Sequence, residues 1–164
     1  MDIVPINREH GRVQFDCGES AINRFLREGA LQDQKLRLSR TSILIDEAVD
    51  SARILGFHTL IITTVDQDLI PADRPRIKRK IPIILLAHLA VDAEFQGRNY
   101  GNWLLSDVQN RVERIGDLVG VRGLMLDART ERLARWYEKH DFKRFPGSLR
   151  MFKGFPSIKE IVNI

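Results

Sequence analysis

Apolar residues recur every three or four positions in three segments of the chain, and this spacing predicts three amphipathic helices, at residues 18–38, 101–115 and 131–140. Runs of β-branched and apolar residues predict six strands, at residues 41–46, 52–65, 81–91, 121–128, 142–145 and 149–155. Ser20 and Thr130 are candidate N-caps, and Gly116 is a candidate helix stop. The order of these elements predicts one domain, 1–164, of the α/β (α+β) class. Its mixed sheet is expected to carry helices on both faces.

The composition is that of an ordinary globular protein, with 43% hydrophobic and 29% charged residues among 164. A chain of this length buries enough surface to fold around one core without disulfides. The single cysteine, Cys17, suits a reducing compartment, and residues 1–11 lack the continuous apolar stretch of a secretory leader. We therefore expect a cytoplasmic protein. The longest apolar run, 81–91, is far shorter than the roughly 20 residues that cross a bilayer, so we expect no membrane span.

Basic residues outnumber acidic residues by 26 to 22, which gives a formal net charge of +4. Two segments concentrate these cations. The first holds five of them: Arg74, Arg76, Lys78, Arg79 and Lys80. The second, 129–153, holds eight. Such clusters are typical of a surface for a polyanion, and equally of solvated helix and loop faces.

The segment from Leu89 to Gly101 leads from a predicted buried strand through a glycine-containing turn into a predicted helix. Backbone N–H groups at the first turn of a helix are unpaired and carry partial positive charge, so this arrangement favours binding of a diphosphate. Gly97 and Arg98 fit that function, although such a turn also needs glycine for its backbone angles alone. The sequence has neither a phosphate-binding lysine loop nor a G-x-G-x-x-G pattern, which argues against nucleotide hydrolysis and Rossmann cofactors.

The hexapeptide Gln96-Gly-Arg-Asn-Tyr-Gly101 resembles the acetyl-CoA pyrophosphate loop, Gln/Arg-x-x-Gly-x-Gly/Ala, of the GNAT N-acetyltransferases. Five further segments resemble the GNAT subgroup found as toxins in toxin-antitoxin modules: Phe15-Asp-Cys-Gly18, Asn23-Arg-Phe-Leu26, Ser39-Arg-Thr41, Leu86-Ala-His-Leu-Ala-Val-Asp92 and Phe152-Lys-Gly-Phe-Pro156. The resemblance covers essentially the whole chain and implies the GNAT fold. It also implies transfer of acetyl from acetyl-CoA to the α-amine of aminoacyl-tRNA, and a partner antitoxin of the ribbon-helix-helix type.

The resemblance also assigns individual residues. The main chain of Leu89, Ala90 and Val91 is expected to bind the pantetheine arm of acetyl-CoA. The pyrophosphate is expected at Gln96, Gly97, Arg98, Asn99, Tyr100 and Gly101. Tyr137 matches the tyrosine that protonates the leaving thiolate, although its spacing from Leu133 also suits an ordinary core aromatic. Three positions depart from the family pattern: His88 replaces a common arginine, Asn99 a glycine, and Asp141 a glycine at a helix end. Asn and Asp both tolerate left-handed backbone angles.

The remaining chemistry-bearing residues give weaker signals. An α-amine has a pKa near 8, so the reaction needs only a weak base or water, and we assign none. His58 and His88 are candidates for an acceptor pocket or for local core contacts, and Cys17 reads as structural. No histidine or cysteine spacing indicates a metal site. Two other functions stay open: a GNAT enzyme that acts on small amines or peptides, and a non-catalytic module on the same scaffold. Formation of a homodimer also stays open.

Overall fold

The computed structural model describes residues 1–66 and 79–155. Its helices are α1 Ser20–Arg24, α2 Ala30–Lys35, α3 Tyr100–Leu118 and α4 Glu131–Glu138. A π-helical segment, Phe25–Gly29, joins α1 to α2, and a 3-10 turn, Ala93–Phe95, precedes α3. Its strands are β1 Asp2–Pro5, β2 Arg40–Ile45, β3 Gly56–Asp66, β4 Lys80–Val91, β5 Gly123–Asp127, β6 Lys143–Arg144 and β7 Arg150–Gly154. None of the described helices has the length and apolar character to span a membrane.

The described strands form one sheet in the order β1-β2-β3-β4-β5-β7-β6. The pairs β1–β2, β2–β3, β5–β7 and β6–β7 are antiparallel. The closing hairpin predicted from the Pro-Gly-Ser turn is thus confirmed, with Arg144 opposite Met151. The strand β1 was not predicted, because it is only four residues long and ends in Pro5, a residue that an edge strand tolerates.

Contacts divide the chain into two compact units. The first comprises Met1–Ile61 and Leu86–Asn110, and the second the described residues of Ile62–Leu85 and Arg111–Ile164. The predicted acetyl-CoA loop lies in the first unit, and Tyr137 lies in the second.

The first unit has an apolar cluster on each face of its part of the sheet. On one face, Ile22 and Leu26 from the helical segments contact Ile43 and Phe57. On the other face, α3 contributes Leu104 to a cluster with these strand and loop residues: Leu44, Leu55, Leu89 and Val91. The two strand faces alternate as the period of two requires, with Ile43 on one side and Leu44 on the other.

A glycine allows β3, β4 and α3 to approach closely. A Cβ atom on Gly56 would lie 2.9 Å from the Ala90 carbonyl oxygen and 2.9 Å from Leu104 Cδ1. Both contacts are shorter than van der Waals separation, so a larger residue would force these elements apart. Gly56 therefore sets the spacing at the end of β4 from which the candidate site begins.

The N-terminal helix differs from its prediction. We expected one helix at 18–38 capped by Ser20, but the cap position is Glu19, which makes no side-chain capping bond. The helix also changes to π geometry at Phe25–Gly29, where the Phe25 ring lies over Gly29, 3.2 Å from the position of an added Cβ. This clearance lets Phe25 stack on His88 of β4, with ring centroids 4.0 Å apart.

The second unit is built on a core of buried side chains from its strands and closing hairpin: Val65, Ile81, Ile83, Met125, Phe145 and Phe152. The predicted N-cap of α4 is confirmed, since Thr130 Oγ1 accepts a hydrogen bond from the Leu133 N–H at 3.2 Å. Gly116 does not stop α3, which continues to Leu118. Its lack of a side chain instead makes room for the Phe155 ring, 3.1 Å from where a Cβ would lie.

Candidate active site

The connection between β4 and α3 is an exposed loop shaped by two residues with left-handed backbone angles. Gly97 has a φ of +78° and Asn99 a φ of +66°. Asn99 adopts this conformation without glycine, as its side chain permits. Its carbonyl oxygen accepts hydrogen bonds from the N–H groups of Asn102 and Trp103, so the first turn of α3 starts from it. No atom lies within 4 Å of an added Cβ on Gly97, so the space beside the loop is open.

The loop presents a series of unsatisfied donors. Within residues 1–66 and 79–155, no acceptor binds the backbone N–H groups of residues 97–101. These groups, the positive end of the α3 dipole and the exposed Arg98 guanidinium all favour an anion. The chemistry of these residues fits the diphosphate of acetyl-CoA, and their assignment as its binding site stays a prediction.

A buried carboxylate holds this loop in place. Asp92 is only 2% exposed and follows directly on β4. Its Oδ1 accepts the Glu94 N–H at 3.0 Å, while Oδ2 accepts the Asp16 N–H at 3.2 Å and lies 3.3 Å from Arg53 Nη2. The Asp92 N–H in turn donates to the Leu55 carbonyl at 3.0 Å. Three separate parts of the chain are thus tied to the residue that starts the loop.

Arginines flank Phe95 in the 3-10 turn. The guanidinium carbons of Arg53 and Arg98 lie 5.5 Å and 5.1 Å from the centroid of its ring. Arg53 also forms an ion pair with the exposed Glu94 at 2.9 Å, and Arg98 donates to the Glu94 carbonyl at 3.3 Å. These contacts orient Arg98 along the loop.

Gln96 links the loop back to β4. Its side-chain amide donates to the Val91 carbonyl at 3.1 Å and to the Cys17 carbonyl at 3.3 Å. One carbonyl of the segment expected to bind pantetheine therefore already accepts a protein donor. Leu89 and Val91 side chains pack toward α3, and Ala90 packs toward the helical segments on the other face. Binding of pantetheine by the main chain of residues 89–91 stays a prediction.

Tyr137, in the second unit, lies on α4 within a group of aromatic rings. Its ring meets those of Trp136 and Phe142 edge-on at centroid distances of 4.7 Å and 5.5 Å. The side chain is 7% exposed, and this burial raises the pKa of the phenol above its usual value. In the described part of the chain the hydroxyl makes no hydrogen bond. A protonated phenol in this setting can act as a general acid.

Comparison with known proteins identifies the family. The acetyltransferase (GNAT) domain matches residues 42–144. The chain belongs to the GNAT acetyltransferase family. A Mycobacterium tuberculosis protein named tRNA-acetylating toxin is 31% identical to this GNAT chain over 137 residues, which cover 80% of this chain and 78% of that protein.

Two solved structures are similar over nearly their whole length. A mutant of KacT is 25% identical, has a TM-score of 0.87 and aligns over 98% of both chains. AtaTR bound with acetyl-CoA is 26% identical, has a TM-score of 0.81 and aligns over 98% of this chain and 97% of that one. The GNAT fold expected from the sequence is confirmed.

The two histidines considered for an acceptor pocket of this GNAT protein lie on opposite faces of the sheet. His58 is 1% exposed, and its Nε2 lies 2.7 Å from Asp107 Oδ2 on α3. His88 points to the other face, where it stacks on Phe25 and lies near Phe57. Any single pocket on one face can therefore use only one of them.

The environment of the Cys17 thiol indicates a structural residue. Burial raises the pKa of the Cys17 thiol, and its sulfur lies 3.2 Å from Asn23 Oδ1, an arrangement suited to a structural residue. Among the described residues, no group of three or more His, Cys, Asp or Glu side chains could hold a metal ion.

The structure divides the basic segment 129–153 into paired and unpaired cations. Arg144 binds both Glu131 and Glu138, at 2.7 Å and 2.6 Å, and Arg150 binds Asp127 at 2.7 Å. Two others, Arg135 and Lys153, lie 3.8 Å from carboxylates. Three exposed cations make no ion pair within the described chain: Arg132, Lys139 and Lys143. In the other cluster Arg79 and Lys80 are exposed, and Arg74, Arg76 and Lys78 lie outside the described residues.

Sequence reasoning missed Arg53 and the anchoring role of Asp92. The pattern Asp92-Ala-Glu94 directly after a strand is a local signal for an Asp cap, which the structure shows. Nothing local identifies Arg53, because it lies 39 residues away from its partner.

We predict that Asp92→Ala destabilises the protein by about 1–3 kcal/mol, because it leaves the Arg53 guanidinium and the Asp16 N–H without a buried acceptor. Glu94→Ala is the matched control. It removes the other ion pair of Arg53, but Glu94 is largely exposed, so the expected loss is about 0–1 kcal/mol. Urea denaturation of both variants measures the difference. Equal losses would show that Asp92 is not the anchor.

Proposed function

We propose that this protein transfers the acetyl group of acetyl-CoA to the α-amine of aminoacyl-tRNA. The observation that carries the proposal is the open loop at 97–101, with unpaired N–H groups in a chain of the GNAT family. The tRNA substrate is supported by the 31% identical relative named tRNA-acetylating toxin. Unpaired surface cations on and after α4 suit a polyanionic acceptor.

The proposed chemistry needs few protein groups because a thioester is already activated. The neutral amine attacks the thioester carbonyl, the carbon–sulfur bond then breaks, and the amine loses a proton as the thiolate gains one. We assign the proton donor to Tyr137 and the oxyanion donor to a backbone N–H near Leu89. The α-amine, with a pKa near 8, is partly neutral at pH 7, so proton removal by water suffices. Positioning of the two substrates supplies most of the rate.

The proposed product explains a toxic effect. An acetylated α-amine is no longer nucleophilic, so a tRNA that carries it cannot accept a growing peptide. We therefore propose that the protein blocks translation in the cytoplasm, where charged tRNA is used, and that a ribbon-helix-helix antitoxin restrains it. Expression of the protein with and without such a neighbouring gene tests this role.

We predict that Gly97→Glu weakens acetyl-CoA binding by at least about tenfold, since two like charges about 4 Å apart repel by roughly 4 kcal/mol at a protein surface. Gly147→Glu is the matched control, because Gly147 also has a positive φ, +66°, and open space beside its Cα. Titration calorimetry on both folded variants provides the test. Unchanged affinity in Gly97→Glu would place the diphosphate elsewhere.

We predict that Tyr137→Phe lowers kcat by about 10²- to 10⁴-fold, the usual loss for a general acid, while acetyl-CoA affinity and thermal stability stay close to wild type. Only the hydroxyl is removed, so the ring contacts with Trp136 and Phe142 remain. Single-turnover acetylation of charged tRNA isolates the chemical step. A wild-type rate there would leave Tyr137 with a packing role alone.

We predict that replacing Arg132, Lys139 and Lys143 by Gln weakens binding of charged tRNA and reduces the salt dependence of log K by roughly 0.7 to 0.9 for each lost phosphate contact. Acetyl-CoA affinity should not change. A triple Gln variant at other exposed cations, Arg8, Arg24 and Lys35, controls for the same change in net charge.

Equal effects of the two triple variants would remove the proposed tRNA surface from this part of the second unit. A wild-type protein that ignores charged tRNA but acetylates polyamines or peptides would replace the tRNA proposal with that of a small-amine or peptide acetyltransferase.

A further inference from the structure

We propose that His58 is a positioning residue for acetyl-CoA, because its bond to Asp107 fixes the orientation of α3 and therefore of the N–H groups at the start of that helix. This inference rests on the proposed function in one respect, the assignment of residues 96–101 as the acetyl-CoA site. It concerns a side chain that touches neither substrate.

The contact joins the sheet to the helix deep in the first unit. His58 lies on β3 and is 1% exposed, and its Nε2 is 2.7 Å from Asp107 Oδ2, on a side chain that is 20% exposed. A carboxylate can only accept, so the proton of this hydrogen bond resides on Nε2. A short bond between an imidazole and a carboxylate is charge-assisted and directional.

A contribution to folding stability does not by itself explain the His58–Asp107 pair. His58 Nδ1 is buried and has no hydrogen-bond partner within the described residues. A buried polar group that is only partly satisfied is a cost to folding, and replacing both members of the pair by apolar residues of similar size would fill the site as well or better. The bond to Asp107 is therefore best accounted for by the geometry that it imposes on α3.

Apolar contacts cannot impose that geometry by themselves. Leu104 and Leu105 are fully buried and hold α3 against the unit, but hydrophobic contact is non-directional and permits small rotations and slides. A hydrogen bond weakens steeply with angle and distance, so it fixes both the rotation of the helix and its position along the axis. Asp107 lies six residues after Gly101, or about 9 Å along the helix at 1.5 Å per residue.

The same strand also positions the start of the loop. The Leu55 carbonyl, just before β3, accepts the Asp92 N–H, and Gly56 lies in close approach to the Ala90 carbonyl and to Leu104. Residues 55–58 thus contact the end of β4, the beginning of the loop and the body of α3. His58 provides the last of these connections through its side-chain bond to Asp107 on α3.

The test compares two replacements of His58 in the full-length protein. His58→Leu removes the bond and keeps much of the volume, and His58→Gln keeps an N–H donor that can reach Asp107. We expect His58→Leu to lower the thermal midpoint only modestly, because the Asp107 carboxylate is 20% exposed and can be solvated. We expect it to weaken acetyl-CoA binding about tenfold, which corresponds to a loss of about 1.4 kcal/mol of binding free energy. His58→Gln should recover most of that loss.

Steady-state kinetics separates positioning from a general loss of structure. In His58→Leu the KM for acetyl-CoA should rise more than kcat falls, and affinity for charged tRNA should not change. Asp107→Ala serves as the second variant, because alanine is the strongest helix former and the position is partly exposed. If His58→Leu does not fold, acetyl-CoA affinity in Asp107→Ala decides, with a loss supporting the role and a wild-type value overturning it.

Wild-type acetyl-CoA affinity in folded His58→Leu would overturn the inference, and so would equal losses in the Leu and Gln variants. These outcomes differ from failure of the proposed function. If wild-type protein binds acetyl-CoA and Gly97→Glu abolishes that binding while His58→Leu does not alter it, only the role of His58 fails. If the wild-type protein binds no acetyl-CoA, both proposals fail.

Discussion

The candidate site depends on one buried carboxylate. The backbone N–H groups of residues 97–101 are unpaired within the described chain, so the side-chain bonds of Gln96 and Arg98 and the residues that flank the loop must hold its shape. Asp92, at the start of the loop, contributes by accepting bonds from the backbone of Asp16 and Glu94 and from the Arg53 guanidinium. Burial of a carboxylate is unfavourable unless all of its bonding capacity is used, so these partners have little freedom to move. The rigidity of the anchor is what allows the adjacent loop to remain open.

The parts of the fold that the sequence could predict are those set by contacts between near neighbours in the chain. The left-handed backbone at Gly97 and Asn99 and the helix cap at Thr130 could be predicted, because backbone and capping preferences are local. The Asp16–Asp92 and His58–Asp107 bonds span 76 and 49 residues, and no local pattern pairs these side chains. The π-helical turn has no local signal either, and the stacking of its Phe25 ring on His88 exists only in the folded sheet. The sequence therefore indicated where the loop lies, whereas the long-range bonds that hold it in place could be found only in the structure.

The number of cations in a segment of sequence does not predict how many of them are available to bind an anion. Segment 129–153 reads as strongly basic, but Arg144 and Arg150 are held by carboxylates of the same unit at hydrogen-bond distance. A cation already bound to a carboxylate gains less from a phosphate, because the existing pair must first be broken. Within segment 129–153, the exposed cations that make no ion pair in the described chain are Arg132, Lys139 and Lys143, a smaller set than the eight cations of the sequence.

The raised pKa of Tyr137 has consequences for its proposed role. A phenol is ordinarily a weaker acid than a thiol, with pKa values near 10 and 8.5, and burial of the phenol widens that difference. Proton transfer from the phenol to the thiolate becomes favourable only if desolvation raises the pKa of the thiol above that of the phenol. A dry environment around the breaking carbon–sulfur bond is therefore a requirement of this mechanism. The phenol also stays protonated at every pH below its raised pKa, so any loss of activity between pH 8 and 10 must come from a group other than Tyr137.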